Sequence, residues 1–467
     1  MKEVTDMNNF DLSSIDSKKP IYFIGIGGIS MSALAVILHS DGFCVRGSDF
    51  KESDITFSLE KKGIEVLIGH KSENVGEPSL VVYTAAIKED NPELIKARSL
   101  GVPVIERAVL LGAIMKRYKN AIAVSGTHGK TTTTSMVAEV LFAAKLDPTV
   151  LVGGMLPSIG GNLYDGGKEY MVTEACEYCG SFLKFCPTVS IILNVEEDHL
   201  DYFKDIDDIV NCFSEFVELT PKNGAVIVNF DDEDAVKTVG KTSKKVISFG
   251  VINKKADYVA ENITYSNEGC GNFDVLCKGE KVMEISLSVP GEHNIKNALS
   301  VVAMADFLGI EKEAVKKGLS AFRGTGRRFE RKGEKNGVKL IDDYAHHPTE
   351  IKATLSSARN LGGRIFCIFQ PHTYTRSFKL KDEFAVSFYD CHEVIFADIY
   401  AAREKDTGLI SSKDLADAVN EVSKNAKYVG DFVSIKKYVM EKAMPGDVII
   451  TMGAGDIYKV GDMIIKE

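Results

Sequence analysis

Residues 125–134 read SGTHGKTTTT, directly after the apolar run AIAV and directly before the helix-like run SMVAEVLFAAK. A glycine turn between a strand and a helix lets backbone N–H groups converge on an anion, and the helix N-terminus adds its positive end. Lys130 would reach the outer phosphates of a nucleotide, and Thr131 would offer its hydroxyl to Mg²⁺. The whole turn, Gly126, Thr127, His128, Gly129, Lys130, Thr131 and Thr132, is therefore a candidate ATP-binding loop. It departs from the pattern G-x-x-x-x-G-K-T, because Val124 stands where the first glycine is expected and the turn is the shorter G-T-H-G-K-T.

Other polar residues sit where such chemistry needs them. Glu174 ends the strand-like YMVTE, and a carboxylate at a strand end beside a phosphate loop helps to hold the metal. His199, in NVEEDHLDYF, also follows a strand. Thr131, Glu174 and His199 together offer a hydroxyl, a carboxylate and an imidazole; Mg²⁺ prefers oxygen, so the imidazole is the weakest member and Mn²⁺ stays open. The alternative for Glu174 and His199 is an ordinary surface turn. A second glycine turn, GIGGISMSA, places Gly25, Gly27 and Gly28 for a phosphate, with Ser30 where a third glycine is usual. Asp49 closes the next strand near the spacing of a ribose contact. Two such turns predict two phosphate-bearing ligands. Six of the nine histidines, at 128, 199, 293, 346, 347 and 372, fall in these polar motifs. Asp343 and His346 follow a strand ahead of Pro348; they either meet an incoming amine or acyl phosphate, or cap the helix that Pro348 starts. CEYC at 176–179, with Cys186 nearby, looks like half a zinc site or a redox pair, but nothing completes it, and these cysteines are expected to be structural or incidental.

The elements that must position these residues alternate strand and helix along three stretches, an α/β reading. The first runs from PIYFIG through LVVYTAAI and VPVIE to a basic connector, MKRYKN. The second opens on the phosphate loop and continues through YMVTEA, VSIILNV and AVIVNFDD, an antiparallel excursion over 272–289 and the helical pattern HNIKNALSVVAMADFLG. FRGTGRRFE marks the next boundary, and beyond it four apolar strands each run into a polar motif, at the carboxyl ends where ligands sit in open α/β sheets. With 467 residues, about two to four domains are expected. Apolar residues are 45% and charged residues 26%, values of an ordinary globular chain. A net charge of −10 without a basic tract argues against nucleic-acid binding. The polar N-terminus lacks a signal-peptide core, no apolar run reaches bilayer length, and nine irregularly spaced cysteines suit a reducing cytoplasm.

Taken in order, GIGGISMSALA, GTHGKTTTT, NVEEDHLDYF, GEHNIKNAL, GTGRRFE, DDYAHHPTEI and QPHTYTR resemble the Mur ligases of peptidoglycan precursor synthesis over nearly the whole chain. GTHGKTT and HHPTE are typical of the L-alanine-adding branch. The resemblance implies an N-terminal Rossmann-like domain (1–118) for UDP-N-acetylmuramate, with Gly25, Gly27, Gly28, Ser30 and Asp49 as its contacts. It implies a central P-loop ATPase-like α/β domain (119–321) for ATP and Mg²⁺, and a C-terminal Rossmann-like domain (322–467) for the amino acid. Lys130, Glu174, His199, His346 and Arg376 would be catalytic. His293, Asn294, Asn297, Arg328 and Asp343 would join the loop around ATP, and Tyr344, His346 and Arg376 would surround L-alanine. Such an enzyme is a monomer or homodimer, transfers the γ-phosphate to a carboxylate, and closes its C-terminal domain about a hinge near 320–328 before the amine attacks. The chain departs from the pattern at ACEYCGS, where some relatives have an acidic stretch, and at Thr373, where some carry an arginine; the amino-acid carboxylate is then expected either to rely more heavily on Arg376 or to borrow Arg403. The modified lysine of sister ligases has no counterpart in DIVNCFSEFVELT. A peptide-joining ligase of the same architecture, an NAD-dependent oxidoreductase and an ATP-driven switch are the competing readings.

Overall fold

The computed structural model describes residues 10–200, 202–402 and 404–466. Its strands form three sheets, each wrapped by helices. The first sheet has five parallel strands in the order Glu65–Ile68, Val45–Asp49, Ile21–Ile24, Leu80–Tyr83 and Val104–Glu106. Ile21–Ile24 is buried at every position, as an uninterrupted apolar run in a sheet covered on both faces must be.

The central sheet has ten strands. At its heart Asn120–Ser125 lies between Val189–Ile192 and Tyr170–Ala175, all parallel. The three chemistry-bearing segments that follow these strands therefore leave one sheet edge side by side: the phosphate loop, the segment from Asn194 and the segment from Glu174. Cys270–Cys277 and Glu280–Pro290 form the expected antiparallel excursion. The third sheet has Val338–Asp343, Val448–Met452, Ile365–Phe369, Glu393–Ala397 and Ala426–Gly430 in parallel, with Glu330–Lys335 antiparallel at one edge.

The joints between the three units differ in kind. The basic connector is pinned, because Asp41 receives Arg117 and, at 2.7 Å, Lys168, while the Tyr118 hydroxyl donates to Thr149 Oγ1 at 3.1 Å. Farther on, Thr325 Oγ1 donates to Ser135 and the Gly326 N–H to Met155 O, both in the central unit. Arg327, one residue later, bonds instead to Asp342, Gly453 and Gly455. The chain thus changes partners at the 326–327 peptide, inside the expected hinge. No helix among the described residues is long and apolar enough to cross a membrane.

Candidate active site

The loop from Gly126 to Gly129 hands over to the helix Lys130–Ala143, whose N-cap Gly129 supplies no side-chain acceptor. The first-turn N–H groups are left for an anion. Gly126 and Gly129 have φ of 137° and 84°, and a Cβ on Gly126 would come within 3.0 Å of Leu193 Cβ. A Cβ on Gly129 would meet Asn297 Oδ1 at 3.0 Å, so Asn297 lies against the loop. A cleft of about 1020 Å³ opens beside it, lined by His128, Thr132, His293, Asn294, Arg328 and Asp343 among others. That is room for a nucleoside triphosphate. The donor set and the bare cradle both fit ATP.

Thr131 and Glu174 flank Gly153 and Gly154: a Cβ on Gly153 would meet Glu174 Oε1 at 2.9 Å, and one on Gly154 would meet Thr131 Cγ2 at 3.2 Å. A hydroxyl and a carboxylate beside a bare backbone are oxygen donors that fit Mg²⁺. The His199 ring packs against the Tyr178 ring with centroids 4.6 Å apart. Among the described residues no hydrogen bond joins His199 to Thr131 or Glu174. Burial, with Arg376 and Lys130 nearby, holds the His199 imidazole below its usual pKa despite Asp198 and Glu177, so it is neutral at pH 7.

A chain of polar side chains runs from the phosphate loop to the C-terminal unit. Lys130 Nζ donates to Glu177 at 3.1 Å; Glu177 lies 3.9 Å and Asp198 3.8 Å from His199; Asp198 receives Arg376 at 2.7 Å. Burial disfavours the Lys130 charge, but Glu177 more than offsets this and the ammonium persists. Arg376 also meets His372 Nδ1 at 3.0 Å. His346 lies on Tyr344 O at 3.0 Å and on Glu350 at 3.2 Å. Arg328 lies over the Tyr344 ring and 3.5 Å from Glu350. Asp343 accepts the N–H groups of Phe329 and Ala345, and burial raises its pKa to about 6. Neither Asp343 nor His346 caps the following helix; His347 does, accepting from Thr349 N–H ahead of Pro348. Arg403 lies outside the described residues.

In the first unit, the Gly27 N–H donates to Asp49 at 2.8 Å, which draws that carboxylate onto the turn. Ser30 Oγ accepts from Arg107 at 3.0 Å. Arg107, Glu177, Asp198 and Glu350 were not assigned from the sequence. The last three lie inside the motifs CEYC, DHLD and HHPTE, and a search for carboxylates able to balance the motif cations would have found them. Of CEYC, Cys176 is half-buried beside Lys130 and Glu177, and desolvation raises its pKa to about 11, while Cys179 is exposed; both are free thiols.

Central and C-terminal units meet at several places, among them the phosphate loop and the segment from Glu196 to Leu200. His128 Nδ1 lies 3.2 Å from Glu350, Thr349 Oγ1 donates to Glu196, His347 meets Glu197 O, and Lys379 donates to Leu200 O. Burial penalises the His128 imidazolium, yet Glu350 and Glu196 raise its pKa to about 9. Burial likewise opposes the Glu350 carboxylate, but His346 and His128 hold it well below the usual range. The Glu350 contribution is complete above its unfolded pKa of about 4.3 and is lost as pH falls through the depressed folded value. The His128 contribution is complete below about pH 6.5 and is lost as pH rises through its raised folded value. The contact is therefore fullest between about pH 4.5 and 6.5. Melting of the ligand-free protein should show the C-terminal unit loosening from pH 6.5 toward 9, with His128→Gln flattening that slope; an unchanged slope in the variant would assign it elsewhere.

A phosphate loop on one α/β sheet, a glycine turn on a second and a cleft closed by a third define a nucleotide-dependent enzyme of three α/β domains. Three family descriptions match consecutive parts of the chain: Mur ligase family, catalytic domain over residues 20–119, Mur ligase middle domain over 124–305, and Mur ligase, glutamate ligase domain over 327–455. The chain belongs to the Mur ligase family. It is 52% identical over 459 residues to the UDP-N-acetylmuramate–L-alanine ligase of Acetivibrio thermocellus, covering 98% of each chain. The crystal structure of UDP-N-acetylmuramate–alanine ligase from Thermotoga maritima is similar with a TM-score of 0.79 and 33% identity, over 96% of this chain and 98% of that one. A murein peptide ligase from Psychrobacter arcticus is similar at a TM-score of 0.70 and 26% identity, over 96% and 98%.

Proposed function

We propose that the protein joins L-alanine to the lactyl carboxylate of UDP-N-acetylmuramate, converting ATP to ADP and phosphate, as a step of peptidoglycan precursor synthesis. The observation that carries this reading is the line of contacts Lys130–Glu177–His199–Asp198–Arg376, which joins the phosphate loop of the central unit to an arginine of the C-terminal unit and supports a phosphate role for Lys130 and a carboxylate role for Arg376. The full-length likeness to ligases of that name supports it. The three sheets, within residues 21–106, 120–290 and 330–452, support a division into domains at 118/119 and 321/322. Gly25, Gly27, Gly28, Ser30 and Asp49 then take the sugar nucleotide, and the loop with His293, Asn294, Asn297, Arg328 and Asp343 takes ATP.

A carboxylate is a poor electrophile at neutral pH, so an oxygen of the lactyl carboxylate attacks the γ-phosphorus and ADP departs, leaving an acyl phosphate. Lys130 and the N–H groups of its helix balance the phosphate charge during this transfer. Mg²⁺ held by Thr131 and Glu174 would supply further charge neutralisation, and His199 is a nitrogen donor more suited to Mn²⁺. Arg376 exchanges Asp198 for the carboxylate of L-alanine, with Tyr344 and His346 beside it. The free amine attacks the acyl carbon, and the tetrahedral intermediate expels inorganic phosphate to leave the amide. Water must be kept from the acyl phosphate, which the meeting of the central and C-terminal units achieves. The site of reaction is the cytoplasm, where ATP and nucleotide-activated sugars are supplied and nine free thiols stay reduced.

Phosphate release with ATP, Mg²⁺, UDP-N-acetylmuramate and L-alanine, each omitted in turn, tests the reading. Release that needs all four, with a nucleotide product heavier by one alanine residue, is the expected result. Release that needs a tripeptide in place of L-alanine would move the protein to peptide joining, and release indifferent to both would remove the ligase reading.

A further inference from the structure

We infer that His128, Glu196 and His347 form a binding site for a borderline divalent cation such as Zn²⁺, separate from the Thr131–Glu174 position. One ligand atom of each lies within 4.8 Å of the other two. The three come from distant parts of the chain, the phosphate loop, the segment after Val189–Ile192 and the turn before Pro348–Ala358, and only the fold brings them together.

The hydrogen bonds around them select the atoms. A metal-ligating imidazole holds its other N–H on a carboxylate or a backbone carbonyl, and both rings do so here. His128 Nδ1 is 3.2 Å from Glu350, and His347 Nε2 is 3.2 Å from Glu197 O. That leaves His128 Nε2, which is buried without a hydrogen-bond partner, and His347 Nδ1, which meets only the Thr349 N–H at a long 3.4 Å. Tetrahedral donors at 2.0–2.2 Å from zinc stand about 3.4 Å apart. His128 Nε2 is already 3.5 Å from Glu196 Oε2. Thr349 Oγ1 donates to Glu196 at 2.6 Å and orients that carboxylate as a further outer partner. An imidazolium held between Glu350 and Glu196 would account for both His128 nitrogens, but not for a second imidazole 4.7 Å away between ring centres with its Nδ1 turned to the same pocket of donors.

Two imidazoles and one carboxylate favour Zn²⁺, Co²⁺ or Ni²⁺ over Mg²⁺. His128 and Glu196 also line the cleft, so a fourth position faces it and is open to water or an anionic oxygen. Because His347 comes from the C-terminal unit, an ion here ties the two units together without nucleotide.

The test uses the full-length protein without substrates, in excess Mg²⁺, titrated with Co²⁺ as the visible probe and then with Zn²⁺. It reads metal binding alone, so its outcome does not depend on that of the ligase assay. One Co²⁺ should bind with the absorption of nitrogen and oxygen ligands and be displaced by one Zn²⁺. His347→Gln and Glu196→Gln should each weaken that binding by at least about tenfold, the lower end of what second-shell losses cost. Should one variant fail to fold, the other carries the comparison, and Cys176→Ser with Cys179→Ser should leave the site intact. Absence of binding, equal affinity in the variants, or a sulfur-to-cobalt band lost in the cysteine variant would overturn the inference.

Discussion

Lys130→Ala should lower turnover by at least about a hundredfold, a loss on the order of 3 kcal/mol, with binding of the sugar nucleotide unchanged. Lys130 is the N1 residue of its helix, and its ammonium reaches back over the loop to Gly126 O and, at 3.1 Å, to Thr127 O. Glu177 holds it there until a triphosphate arrives and competes for it. Phosphoryl transfer needs charge balance and position more than covalent help, so removing this one cation strikes the step itself. Single-turnover phosphate release would register the loss, and a binding titration with the sugar nucleotide would show the N-terminal unit intact. Near-normal release from the variant would remove the loop from the mechanism.

Arg376→Ala should produce two separable losses. The KM for L-alanine should rise by about 10- to 100-fold, the worth of a hydrogen-bonded charge pair. Stability should fall by about 3 kcal/mol, because Asp198, whose side chain is only 9% exposed, would be left as a buried charge without its guanidinium. Burial alone would raise the Asp198 pKa, but Arg376 and then His199 depress it, so the pair contributes above the unfolded carboxylate range and is lost on acidification. Adding Asp198→Asn to Arg376→Ala should restore most of the stability and none of the affinity for L-alanine. Melting temperature and steady-state kinetics measured on the same two proteins would separate the effects. Recovery of the KM along with the stability would mean that Arg376 serves the interdomain contact and not the amino acid.

Much of the molecule is written locally. The glycine at 126 and at 129, the apolar strand before them and the helix-forming run after them depend on neighbours in sequence, so the loop and its helix are legible in the sequence. The same holds for the antiparallel excursion and for Pro348 starting a helix, where ring geometry decides. Asp343 and His346 show the limit: spacing allowed them to cap that helix, yet His347 takes the cap, because its backbone is extended and its Nδ1 faces the Thr349 N–H. Cation-bearing motifs were readable for a related reason, since lysine, arginine and histidine beside glycine turns stand out by type alone. Their carboxylate partners did not. Glu177, Asp198 and Glu350 are common residues in otherwise recognisable strings, and which cation each meets depends on how two sheets face one another across the 326–327 peptide. Sequence by itself determined the α/β alternation, the phosphate loop and the family to which its motifs belong, because each rests on backbone conformation within a few residues. Only the tertiary structure decided the line from Lys130 to Arg376 and the meeting of His128, Glu196 and His347, because a charge finds its partner through space, and that distance is set by packing and not by separation along the chain.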